Sequence, residues 1–120
     1  MLEQAPNPGP FRLSPAPAKT ELVAKYFRGL GDPTRLRILR LLREEGELSV
    51  GQLVDRLGAG QTKVSNHLAC LRWCGFIDAR REHRVVYNRI ADERVGALID
   101  LATGMLEDNE EHVAACRRIE

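Results

Sequence analysis

The stretch LSVGQLVDRLGAGQTKVSNHLACLRWCG, residues 48 to 75, limits the possible folds more than any other part of the chain. Its apolar residues form two helical sets, Val50, Leu53, Val54 and Leu57 before three small residues and Val64, Leu68 and Leu71 after them. Ser49 suits the start of the first helix, because a serine hydroxyl accepts from backbone amides that the first turn leaves without partners. The "GAG" at 58 to 60 supplies a tight turn. Gln61 to Trp73 then reads as a second helix. Two short helices about a tight turn are helix-turn-helix geometry.

The flanks extend this unit. Leu22, Val23, Tyr26, Phe27 and Leu30 recur at helical spacing from Lys19, and Gly29 and Gly31 are expected to end that helix. In "GDPTRLRILRLLREEG", Asp32 is placed as an N-cap and Pro33 as the first helical residue, with Leu36, Ile38, Leu39, Leu41 and Leu42 buried and Gly46 as the stop. After Gly75, "FIDARREHRVVYNRI" alternates apolar and polar residues around "REHR", which predicts a two-stranded hairpin with a basic tip. From Asp92 to about Cys116 a helical period carries Val95, Leu98, Ile99, Ala102, Met105, Leu106 and Val113, with Ile119 beyond it. That is more apolar face than a small core needs, and the surplus predicts a homodimer interface. The fold class expected is mostly α with a β-hairpin wing (α+β). Residues 1–18, with five prolines between positions 5 and 17, are expected to form a flexible or extended arm, residues 19–110 the winged helix-turn-helix DNA-binding and dimerisation domain, and residues 111–120 a tail carrying a candidate metal ligand.

Length and composition bound the function. At 120 residues and 43% apolar content, one domain with a modest core is expected. No apolar run approaches the roughly 18 residues a membrane span needs, and "MLEQAPNPGP" has neither a basic nor an apolar leader segment, so the expectation is a cytoplasmic protein with no membrane association. Three cysteines, two of them four residues apart, make a poor disulfide framework and read as reduced thiols. The net charge of +1 conceals an asymmetry: residues 61–90 carry 6 basic and 2 acidic side chains, whereas residues 91–120 carry 3 and 8. Phosphate binding responds to local potential, so the middle of the chain is the place to seek a nucleic-acid surface.

A helix-turn-helix followed by a hairpin is the winged-helix arrangement, in which the N-terminal residues of the second helix meet base edges in the major groove and the wing follows the backbone. Gln61, Thr62, Lys63, Ser65, Asn66 and His67 form the polar front of that helix, and Arg80, Arg81, His83 and Arg84 supply the wing. Any one of these is also an ordinary solvated side chain; it is their combination that points to double-stranded operator DNA.

The strings "DPTRLRIL" and "SNHLxxLxxxG", here SNHLACLRWCG, together with the terminal helix resemble the ArsR/SmtB family of metal-responsive winged-helix transcriptional repressors over roughly residues 19 to 110. The resemblance implies that a dimer without metal binds a palindromic operator through these helices, that an inducer weakens the grip, and that the first and last helices form the dimer.

Cys70 and Cys74 are one helical turn apart, so their side chains share a face and suit chelation of a soft cation, although small buried cysteines also simply pack. Cys116, with His112 four residues before it, lies on the terminal segment, and a folded-back or partner-subunit tail would complete a three-sulfur site. Three sulfurs suit cadmium, lead or mercury better than zinc, which usually takes four tetrahedral ligands. "CLRWC" with a cysteine about 45 residues later looks like the cadmium- and lead-sensing (CmtR-like) branch of the family, which implies Cys70, Cys74 and Cys116 as metal ligands. The chain departs from other branches: "ELSVG" lacks the cysteines of an "ELCVC" site, and Asp108, His112 and Glu120 reproduce the zinc and nickel spacing poorly. A thiol-redox-responsive repressor with no metal inducer is the alternative, although an i, i+4 pair on an intact helix is badly placed for a disulfide. An enzyme is not expected: His67 and Cys70 stand near each other in sequence, but the chain offers no glycine-rich loop, oxyanion device or room for a cleft.

Overall fold

A computed structural model describes residues 17–119, so the assigned arm lies outside the described residues except for Pro17 and Ala18. Helix α1 (Lys19–Leu30) opens with the Ala18 amide donating to the Glu21 carboxylate at 3.1 Å. Gly31 caps it, but Gly29, expected as part of its end, lies inside the helix and is buried. The reason is a close approach: a β-carbon on Gly29 would stand 3.6 Å from the Phe76 ring and 3.9 Å from the Cys74 sulfur.

Asp32 caps α2 (Pro33–Glu45) by accepting from the Arg35 amide at 3.0 Å, and Pro33 sits in the first turn, where its missing N–H costs nothing. Leu36 proves exposed rather than buried, and Leu41 is only partly covered. The two residues Leu48–Ser49 form a short strand, β1. Ser49 then caps α3 (Val50–Leu57) reciprocally: its hydroxyl accepts from the Gln52 amide at 3.2 Å while the Gln52 side chain accepts from the Ser49 amide at 2.9 Å. Gly58 turns the chain at φ 65°, a left-handed conformation that favours glycine, and α4 (Gln61–Trp73) follows.

Strands β2 (Ile77–Glu82) and β3 (Val85–Ile90) pair antiparallel from Ile77 opposite Ile90 to Glu82 opposite Val85. His83 occupies the tip at φ 59°, a region in which histidine is enriched among non-glycine residues. The expected two-stranded hairpin is in fact a three-stranded sheet of order β1-β3-β2, with Leu48 opposite Asn88 and Ser49 opposite Tyr87. A two-residue strand shows no alternation, so its pairing is decided only by the neighbour that meets it.

The terminal helix also departs from expectation. The single helical period from Asp92 is broken into α5 (Arg94–Glu107) and α6 (Glu110–Ala115). At Asp108 and Asn109 the amides donate to Met105 and Leu106 carbonyls at 3.3 and 2.8 Å, tightening the last turn. Asp and Asn side chains compete for backbone groups and so disfavour helix interiors.

The core lies where α2, α3, α4 and the sheet meet. Ile38, Leu39, Leu42, Leu48, Leu53, Val64, Leu68, Leu71, Phe76 and Ile77 are buried, with Leu30 and Val95 anchoring the outer helices. Among the described residues, no helix is long and apolar enough to cross a membrane.

Candidate nucleic-acid interface and thiol pair

Three apolar side chains orient α4. Val64, Leu68 and Leu71 are buried, which turns Gln61, Thr62, Lys63 and Asn66 outward at the helix's beginning and leaves Ser65 half-buried. His67 points differently. Its side chain retains only 16% exposure, Nδ1 accepts from Arg35 Nε at 3.1 Å, and Nε2 lies 3.8 Å from the Asp32 carboxylate. Four exposed polar side chains and one half-buried serine therefore share the outer surface of α4's first turns, while His67 is engaged within the protein.

The wing divides in a similar way. Arg81, His83 and Arg84 are exposed at or beside the tip, free of the sheet's base. Arg80 is half-buried and committed: it contacts Glu47 at 2.7 Å and Glu82 at 2.7 Å and lies 5.1 Å over the Tyr87 ring. Glu47 also approaches Arg89 at 3.5 Å, and Arg89 meets its cross-strand neighbour Asp78 at 2.7 Å. Its hydrogen bond from Arg80 holds the Glu47 carboxyl below the ordinary glutamate value. Of the basic wing residues, Arg80 fastens the hairpin to the body and Arg81 and Arg84 extend from it.

Asn88 is the single buried polar side chain of the core among the described residues. Its amide donates to the Leu48 carbonyl at 3.2 Å and its oxygen accepts from Arg72 at 3.2 Å, joining β3, β1 and the last turn of α4. Sequence reading passed over it, although a polar residue between inward-facing Val86 and Ile90 is a detectable signal. Arg35 was missed as well. It lies on the same helical stripe as Ile38, Leu39 and Leu42 and donates to the Gly29 carbonyl at 2.8 Å, His67 at 3.1 Å and the Cys70 sulfur at 3.5 Å.

Cys70 lies on the last turns of α4 and Cys74 caps the helix, its amide donating to the Cys70 carbonyl at 3.1 Å. Cys70 and Cys74 lie one helical turn apart, and burial followed by the charge of Cys70 pushes the Cys74 thiol above its ordinary value. Cys116 follows the end of α6 in extended backbone, so the helical face expected to align it with His112 stops short of it. Among the described residues of a single chain, no three His, Cys, Asp or Glu side chains gather where they could hold a metal. The structure brings together the pair and not the trio.

Outside this site, α1 exposes Leu22, Val23, Tyr26 and Phe27, and α5 exposes Leu101, Met105 and Leu106. Between them lies an apolar groove of about 330 Å³ bordered by Phe27, Leu36, Leu98 and Leu106.

A helix-turn-helix whose second helix turns polar residues outward, braced by a hairpin with a basic tip, defines a winged-helix DNA-binding regulator. The description of bacterial regulatory proteins of the arsR family matches residues 32–79. A probable mercury resistance operon repressor of Streptomyces lividans is 37% identical over 99 residues, covering 82% of this chain and 78% of the relative. The HTH-type transcriptional regulator CmtR of Mycobacterium tuberculosis is 45% identical over 73 residues, 61% of each chain. The homodimeric winged helix-turn-helix domain of Mb0332 from Mycobacterium bovis, a possible ArsR-family regulator, superposes with a TM-score of 0.69 at 33% identity, covering 84% of this chain and 95% of that one. The chain belongs to the ArsR family of bacterial transcriptional regulators, and it is a regulator rather than an enzyme.

Proposed function

We propose that this protein is a metal-responsive repressor that binds double-stranded operator DNA as a homodimer and lets go when a soft metal ion, cadmium, lead or mercury, binds its cysteine thiolates. The observation that carries the reading is that one helix bears both sets of residues: Gln61, Thr62, Lys63 and Asn66 face outward at its start, and Cys70 and Cys74 lie one turn apart at its end. The name of the Streptomyces relative, a mercury resistance repressor, agrees with that chemistry.

The donor set suits a soft cation as far as it is assembled. Two adjacent thiols match soft metals by ligand type, and the proton on Cys74 must leave as a cation is taken up. The third ligand in this reading is Cys116, supplied by a rearranged tail or as Cys116 of the partner subunit. The cation supplies one thing, a tie between α4 and the chain's end; the loosening follows from α4 itself, because a half-site is read only while the two recognition helices keep their spacing. Dimerisation uses the apolar faces of α1 and α5, in agreement with the homodimeric Mb0332 domain. Gln61, Thr62, Ser65 and Asn66 face the bases, Lys63, Arg81, His83 and Arg84 face the phosphates, and Arg80 and His67 act from behind.

Retardation of the protein's own promoter fragment, with and without cadmium, lead, mercury or peroxide, tests this. Release by metal supports it, and release by peroxide with no effect of any metal would sink it. Ultraviolet thiolate-to-metal absorbance should fall stepwise for Cys70→Ser, Cys74→Ser and Cys116→Ser; unchanged binding and release in Cys116→Ser removes that residue as third ligand. Asn66→Ala or Arg84→Ala should weaken operator binding by about 1–3 kcal/mol and leave metal affinity within tenfold.

A further inference from the structure

Arg35 touches both ends of the proposed switch. Its guanidinium donates to three acceptors from two other helices: the Gly29 carbonyl of α1 at 2.8 Å, His67 Nδ1 of α4 at 3.1 Å and Cys70 Sγ of α4 at 3.5 Å. All three contacts are partly buried, and they go to a carbonyl, an imidazole and a sulfur rather than to a carboxylate. The donors of a guanidinium form a planar fork, so it cannot follow one acceptor without changing its geometry to the others. Because His67 accepts at Nδ1, the neutral ring carries its hydrogen on Nε2, the atom that faces Asp32 at 3.8 Å. His67 thus connects Cys70, three residues later on the same helix face, to the N-cap of α2 and the turn of α4 that carries Asn66.

We infer that Arg35 is the positioning residue that transmits the state of the Cys70 sulfur to the DNA-facing turn of α4, through His67, and to the end of α1, through Gly29. This rests on the reading that Cys70 ligates the inducer. A sulfur that gives a lone pair to a cation presents different charge and direction to the donor beside it, and hydrogen bonds to ligand atoms from the surrounding shell commonly tune both affinity and response. The fork then settles differently, and His67 and the α1 terminus move with it. A guanidinium hydrogen-bonded to a carboxylate would resist such a shift; the Asp32 carboxylate feels the charge of Arg35, but the guanidinium's hydrogen bonds go to Gly29, His67 and Cys70.

The test uses the full-length dimer, cadmium and a promoter fragment. In the wild type, cadmium should weaken operator binding by about 5–150-fold, the usual range of allosteric coupling. Arg35→Gln and Arg35→Lys should retain the cadmium–thiolate absorbance band while the cadmium-induced change in operator affinity falls to within about threefold, whatever their metal-free affinity. The nitrogen resonances of the His67 ring should shift on cadmium addition in the wild type and stay in place in both variants. Variants released as fully as the wild type overturn the inference, as does loss of the absorbance band, which would make Arg35 a requirement for ligation rather than for transmission. A wild-type protein that binds cadmium but is not released overturns the parent reading itself, a result distinct from normal release in the variants. Arg35→Lys keeps the charge without the fork, so it decides the matter if Arg35→Gln fails to fold.

Discussion

The winged body and the outer helices treat their apolar residues in opposite ways. In α2, α3, α4 and the sheet, the large side chains close on one another, and Ile38, Leu39, Leu53, Val64, Leu68 and Leu71 have no exposed surface. In α1 and α5, Phe27 remains 54% exposed, Leu101 65% and Met105 67%. The first region satisfies its hydrophobic requirement within one chain; the second has a face that only another surface can cover. A regulator that reads two half-sites needs both: a body rigid enough to hold α4, and a junction that sets the distance between two copies of it.

The difference can be broken from either side. The largest effect is expected inside the body, where Phe76→Ala removes a ring packed on Gly29 and 4.4 Å from the Tyr26 ring; unfolding by denaturant should show a loss of about 3–5 kcal/mol. Asn88→Ala removes the side-chain bonds to the Leu48 carbonyl and to Arg72 at a buried position, costing about 1–3 kcal/mol in the same measurement and loosening the wing. Its effect on operator affinity should exceed that of Val85→Ala, an exposed position of β3 with no proposed DNA contact, and equal effects would mean that the wing is held without it. On the outer face, Leu101→Asp should raise the dimer dissociation constant at least tenfold in sedimentation experiments, about 1.4 kcal/mol, while barely changing the fold of one chain. An unaltered dimer would place the junction elsewhere. The smallest effect is at a cap: Ser49→Ala should cost about 1 kcal/mol, and Ser49→Asp should recover most of it.

Local signals carried most of the fold. Asp32, Pro33, Ser49 and Gly58 act where their chemistry places them, because a cap or a turn involves neighbours in the chain. The site was legible in part. The outward direction of Gln61, Thr62, Lys63 and Asn66 follows from the helical period, and so does the adjacency of Cys70 and Cys74. The inward role of His67 does not, since histidine serves equally as a base contact and as an acceptor for an arginine 32 residues earlier. Arg80 has the same ambiguity: in the sequence it is one more basic wing residue, and its commitment to Glu47 depends on how the sheet lies against the body.

The amino-acid order alone determined the helix starts, the turn between α3 and α4, the alternation of the hairpin and the apolar stripes, all of which depend on residues within about one or two turns of each other. Tertiary structure decided what those stripes meet: the third strand at Leu48, the place of Gly29 beneath Phe76, and the convergence of Gly29, His67 and Cys70 on the guanidinium of Arg35. Periodicity records which face a side chain takes, whereas a hydrogen bond across 35 residues exists only once packing has brought its two ends together.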